Sequence, residues 1–137
     1  MNSSLYGSSA LPAGLSSAAE PVLDPGILAD LQRLQPRNGV AFLNRLLQLY
    51  RDTLDKHEHA ITSAWPTREF NVVQDSAHAL KSASANIGAH ALAQICQALE
   101  QALRQGQPDA AAPLIPLCLE AMQRTARAVD ERLGRSA

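Results

Sequence analysis

At 137 residues the chain has the length of one ordinary domain, and with 46% apolar and 18% charged residues it can build a core without disulfide or metal staples. Twelve basic residues against thirteen acidic ones give a formal net charge of -1, which argues against nucleic-acid binding driven by bulk charge, though not against a local basic patch. No apolar run approaches the ~18 residues of a membrane span, and the N-terminus lacks the basic and apolar regions of a signal peptide, so a cytoplasmic chain with no membrane insertion is expected.

The elements follow in chain order. Residues 1–21 read as a Ser/Ala-rich tail or linker, with no charge before Glu20 and no sustained periodicity. The domain is expected over 22–135. Asp24-Pro25 is a helix opening, with Asp24 as N-cap and Pro25 in the first turn. Leu23 and Leu28 are spaced for a hydrophobic staple. Ile27, Leu28, Leu31 and Leu34 form one stripe, and Pro36 to Gly39 ends this short helix. The second helix is long: Phe42, Leu43, Leu46, Leu47, Tyr50, Leu54 and Ile61 recur at three- and four-residue steps up to Trp65-Pro66. The third opens near Pro66 or Thr67, carries Val73, Ala77, Leu80, Ser84 and Ile87 inward, and stops at Gly88. The fourth carries Leu92, Ile95, Cys96, Leu99 and Leu103 and ends near Gly106. In the last, Pro116 implies a kink or a late start before Leu119, Met122, Ala126, Val129 and Leu133. No strand pattern competes. The expected fold is all-α: an up-down-up-down four-helix bundle with a short extra N-terminal helix.

Little of the usual metal, redox or hydrolytic chemistry has support. Cys96 and Cys118 lack C-x-x-C spacing and fall among apolar residues, as buried reduced thiols do. His57 and His59 are two apart and cannot share a helix face, which makes a metal site there weak. A di-metal bundle needs paired Glu-x-x-His motifs, and the chain has Asp75-x-x-His78 once. There is no nucleophile elbow and no nucleotide-binding glycine pattern. No cofactor is expected in the chain itself.

His78 stands apart through its surroundings. It lies one residue beyond Ala77, so its ring projects from the border of the core stripe. On that face Lys81 is three residues on, Ser82 four and Ala85 seven. A neutral imidazole offers a nucleophilic nitrogen near neutral pH. A neighbouring ammonium can stabilise a phosphoryl group, and small side chains let another protein approach. The plainer reading is an amphipathic surface histidine beside a solvated lysine. Glu100 sits on the next helix, where an antiparallel hairpin would bring it back to His78. A carboxylate accepting from Nδ1 would leave Nε2 free. Glu100 reads equally as a plain surface glutamate.

The string His78-Ala79-Leu80-Lys81-Ser82-Ala83-Ser84-Ala85-Asn86-Ile87-Gly88-Ala89 closely resembles the signature of histidine-containing phosphotransfer (HPt) domains. That signature is His, any residue, Leu, Lys, usually Gly, then small residues and a Gly-Ala pair about ten residues after the histidine. Leu92, Cys96, Leu99 and Glu100 resemble the family's next helix, and Leu23-Asp24-Pro25 its first. The resemblance runs from Val22 to Leu133. It implies that His78 is a phosphoacceptor, taking a phosphoryl group from a receiver-domain aspartate and passing it to another receiver domain. It implies that Lys81 is the cation near the phosphate, and that a polar side chain, here Glu100, orients the imidazole. Ser82 stands where the family usually has Gly. Its added hydroxymethyl group is small, and its hydroxyl can hydrogen-bond the phosphate.

The expected partners are receiver domains of response regulators or a hybrid sensor histidine kinase, bound by a monomer. Any Mg2+ would sit on the receiver. Lys81, Ser82 and Ala85 would form the centre of the docking surface, with Arg45 and Gln48 of the second helix as its rim. The chain would be a phosphotransfer intermediate rather than a true enzyme. The alternative is a helical protein-binding regulatory module that uses the same face without phosphotransfer. The sequence leaves open whether the domain stands alone or belongs to a hybrid kinase.

Overall fold

The computed structural model describes residues 21–134. The tail expected over 1–21 lies outside them but for its last residue. Six helices follow in order: α1 (Pro25–Arg33), α2 (Gly39–Ala64), α3 (Phe70–Ile87), α4 (His90–Arg104), α5 (Pro108–Ala111) and α6 (Leu114–Arg132). Among the described residues there is no strand. The four long helices close a ring in which α2 packs on α3, α3 on α4, α4 on α6 and α6 on α2. The short α1 lies on α2 and α3, as expected of a helix capping one end. No helix among the described residues is long and apolar enough to cross a membrane.

The inward stripes read from the sequence meet in one core, except that Leu34, expected on the first stripe, lies just past α1 and is 64% exposed. Leu47, Leu54, Ile61, Val73, Ala77, Leu80, Leu92, Leu99, Met122 and Val129 are all essentially buried. Their burial, at ~25 cal/mol per Å2 of apolar surface, is the main force holding the helices together. Cys96 and Cys118 are buried free thiols whose sulfurs stand 4.0 Å apart between α4 and α6. The hydrogen bond shared with Cys118 and burial push the Cys96 thiol up, which keeps it protonated. Ser84 is fully buried on the α3 stripe, and its hydroxyl is satisfied by the Tyr50 hydroxyl of α2 at 2.7 Å.

The helix ends show where local chemistry decides and where packing does. Asp24 caps α1, its Oδ1 accepting from the Gly26 and Ile27 backbone N–H groups at 2.8 and 3.4 Å. Leu23 and Leu28 are both buried, as the staple requires. At the end of α3, Gly88 takes φ +88°. Its N–H and that of Ala89 return to the carbonyls of Ala85 and Ser84, which closes the helix in a left-handed cap. A Cβ here would meet Asp24 Cβ at 3.0 Å and Asp24 N at 3.1 Å. Glycine thus allows both the turn and the close approach of α1, which is sealed by the Asp24 N–H bond to Gly88 O at 3.0 Å.

Three boundaries differ from the expectation. α3 starts at Phe70, not at Pro66 or Thr67, because the chain closes α2 with the same left-handed motif. Arg68 has φ 60°, and the Arg68 and Glu69 N–H groups bond the carbonyls of Trp65 and Ala64. A non-glycine residue in this conformation costs about 1–2 kcal/mol. The Trp65–Phe70 contact, with ring centroids 5.3 Å apart, and the Arg68 guanidinium 5.0 Å over Phe70 offset that cost. The single turn α5, opened by Pro108, was not foreseen. Finally, Pro116 forces neither a kink nor a late start. α6 already begins at Leu114, so the proline lies in the first turn, where no backbone N–H has a partner within the helix.

Candidate functional site

The site is built across the α3–α4 hairpin. His78 precedes Gly88 by ten residues, and Glu100 follows it by twelve. At 1.5 Å per residue the two runs are about 15 and 18 Å, so the turn returns Glu100 to the level of His78. His78 lies next to the buried Ala77, and its side chain is 63% exposed. Glu100, by contrast, is 3% exposed. The surface-glutamate reading is therefore corrected: the inward-leaning side of α4 carries this carboxylate into the α3–α4 seam.

Three donors converge on Glu100. Its Oε2 is 2.6 Å from His78 Nδ1, and its Oε1 accepts from Lys81 Nζ at 2.8 Å. Arg104, one turn further along α4, also donates to Oε2. Burial works to raise the carboxyl's pKa. The hydrogen bonds from Lys81 and His78, with the charges of Lys81 and Arg104, outweigh it and hold Glu100 below the usual carboxylate range. An ionised carboxylate only accepts, so Nδ1 carries the proton it shares with Glu100. In the neutral ring Nε2 then holds the lone pair. Nε2 has no hydrogen-bond partner among the described residues. Lys81, whose side chain is 31% exposed, stands on the same carboxylate as the imidazole.

The structure thus brings together His78, Lys81 and Glu100. Ser82 and Ala85 are exposed on the same helix. Arg45 and Gln48 lie on α2, which packs on α3. Arg45 is exposed, and the Gln48 amide donates to Asp52 on its own helix at 3.1 Å. An apolar groove between α2 and α3 is lined by Leu46, Leu49, Thr53, Ala83 and Asn86, with Leu31 of α1 at its end. α2 does neighbour α3, as the rim expectation requires. Leu49 is an apolar residue off the inward stripe of α2, the sequence signal for this groove, and it is 57% exposed. Arg104 was also missed, although Glu100 and Arg104 form a readable i, i+4 pair.

Of the other histidines, His59 is exposed and two are held elsewhere. His57 Nδ1 lies 3.1 Å from Ser76 Oγ, and His90 Nε2 lies 3.0 Å from Asp24 Oδ2. Among the described residues no group of three or more His, Cys, Asp or Glu side chains could hold a metal ion.

A four-helix bundle that offers an exposed imidazole beside a lysine is the architecture of a histidine phosphotransfer protein of phosphorelay signalling. The family model of the Hpt domain matches residues 45–129, more than half of the chain, and the chain belongs to that family. Among solved structures it is similar to histidine-containing phosphotransfer protein B (HptB) from Pseudomonas aeruginosa PAO1. That match has a TM-score of 0.74 and 24% identity, and covers 87% of this chain and 100% of that one. The likeness is one of fold. No curated protein sequence matches the chain.

Proposed function

We propose that His78 is the phosphoacceptor, taking a phosphoryl group from the aspartyl phosphate of one receiver domain and delivering it to the aspartate of another. The observation that carries this reading is the single buried carboxylate shared by His78 Nδ1 and Lys81 Nζ. It fixes the ring by its inner nitrogen and leaves Nε2 facing outward. In the forward step the Nε2 lone pair attacks phosphorus, and the bond between phosphorus and the aspartyl oxygen breaks, returning its electron pair to that oxygen. The positive charge gained by the imidazole is balanced by Glu100 through Nδ1–H. Lys81 lies one turn along α3 and supplies a cation for the phosphoryl oxygens. Delivery to the next receiver runs the same path backwards. The divalent cation of the reaction belongs to the receiver domain, as does the aspartate.

The receiver docks over the small exposed side chains Ser82 and Ala85 and into the adjoining groove of Leu46, Leu49 and Ala83. Incubation with a phosphorylated receiver domain tests the reading. Wild-type protein should gain an acid-labile, base-stable label, and His78→Gln should gain none while keeping its helical content and unfolding midpoint. A complex that forms without label transfer would point instead to a binding module.

A further inference from the structure

Glu100 Oε2 carries two donors, His78 Nδ1 at 2.6 Å and the Arg104 guanidinium. Lys81 occupies the other oxygen. Arg104 is 58% exposed and has no other partner among the described residues, and Lys81 and His78 already give each oxygen of the buried carboxylate a donor. Its position makes it a competitor for the oxygen that holds the histidine. Resting on the phosphoacceptor reading of His78, we propose that Arg104 is a positioning residue that acts through Glu100 to prolong the lifetime of the phosphoryl group on His78.

The chemistry runs through the Nδ1 proton. When the Nε2–P bond breaks, its electron pair returns to Nε2, and the phosphoryl group passes to a carboxylate oxygen or to water. With a proton on Nδ1 the leaving group is neutral imidazole. Without it the leaving group is the far more basic imidazolate. Whatever strengthens the hold of Nδ1 on its proton therefore speeds loss of the phosphoryl group. Glu100 strengthens it. Arg104 weakens it twice, by drawing on the lone pairs of Oε2 and by placing a positive charge near the ring. Lys81 is the other charge on this carboxylate, and Asp75 is exposed three residues before His78 on α3. Among the described residues no charged side chain of α2 or α6 makes an ion pair with this cluster.

Phosphoramidate, a small donor from which Nε2 displaces ammonia, gives the label without a receiver domain. The decay of phosphohistidine is then followed by 31P NMR across pH in wild type, Arg104→Gln and Arg104→Lys. Arg104→Gln should move the decay profile to higher pH by about half a unit, which is about threefold faster loss on its alkaline limb. Arg104→Lys, which keeps the charge, should stay near wild type. Coincident profiles for wild type and Arg104→Gln, or a shift to lower pH, would overturn the proposal. A protein that takes label from phosphoramidate but none from any receiver would sink the relay reading and leave the role of Arg104 standing. Equal profiles in a relay-competent protein would sink the role of Arg104 alone.

Discussion

Replacing Glu100 by Gln preserves the shape of the side chain and removes its charge. In wild type the carboxylate accepts from His78 Nδ1, Lys81 Nζ and Arg104. A hydrogen bond to a charged group contributes roughly 1.5–3 kcal/mol, against about 1 for a neutral pair. Glutamine keeps one accepting oxygen and turns a donor toward one of the three donors. The full sum is not lost, because the side chains of Lys81, Arg104 and His78 are 31%, 58% and 63% exposed and can turn to water. The expected destabilisation is about 1–2 kcal/mol near pH 7.

Its pH dependence has a defined sign. The folded pKa of Glu100 lies below the ordinary value of 4.5, so the stabilisation is complete above that value and is lost as pH falls through the folded pKa. Urea unfolding followed by circular dichroism should show wild type and Glu100→Gln well separated near pH 7 and converging at a pH below the folded pKa of Glu100. An equal gap at both pH values would refute the ionised carboxylate. No gap near pH 7 would refute its role in holding the α3–α4 seam.

Gly88→Ala should cost about 2 kcal/mol or more in chemical denaturation, because the φ of +88° strains any side chain and the new Cβ meets the Asp24 backbone at 3.1 Å. A neutral result would remove the close approach of α1 from the account. Leu49→Glu, at a 57% exposed position of the groove, should leave the unfolding free energy within about 0.5 kcal/mol and weaken receiver binding by about tenfold or more in titration calorimetry. Unchanged affinity would move the docking surface off α2.

Much of this molecule can be read locally. The Asp24-Pro25 opening, the Gly88 stop and the inward stripes follow from chemistry within a turn or two of each residue, so they are visible in the string. The pairing of His78 with Glu100 is also readable, since two antiparallel runs of similar length about a glycine cap define a register. Other features depend on partners that the string does not name. Arg68 adopts a left-handed backbone in company with the Trp65 and Phe70 rings, and nothing in its immediate neighbours marks that. The burial of Glu100 depends on which flank of α4 leans into the seam. The groove beside α3 is lined by Leu46 and Leu49, next to Arg45 and Gln48 in the string. Periodicity says which residues face inward, but not which of the two flanks abuts the next helix.

The proposed reaction centre is divided between two helices joined only by Gly88 and Ala89. An extra residue at this joint would leave both helices intact and carry the carboxylate out of step with the ring. The five-residue connection 65–69 between α2 and α3 bears no such burden, so length variation is tolerable there. His78, Lys81 and Glu100 thus share one hairpin, whose two-residue joint fixes their register.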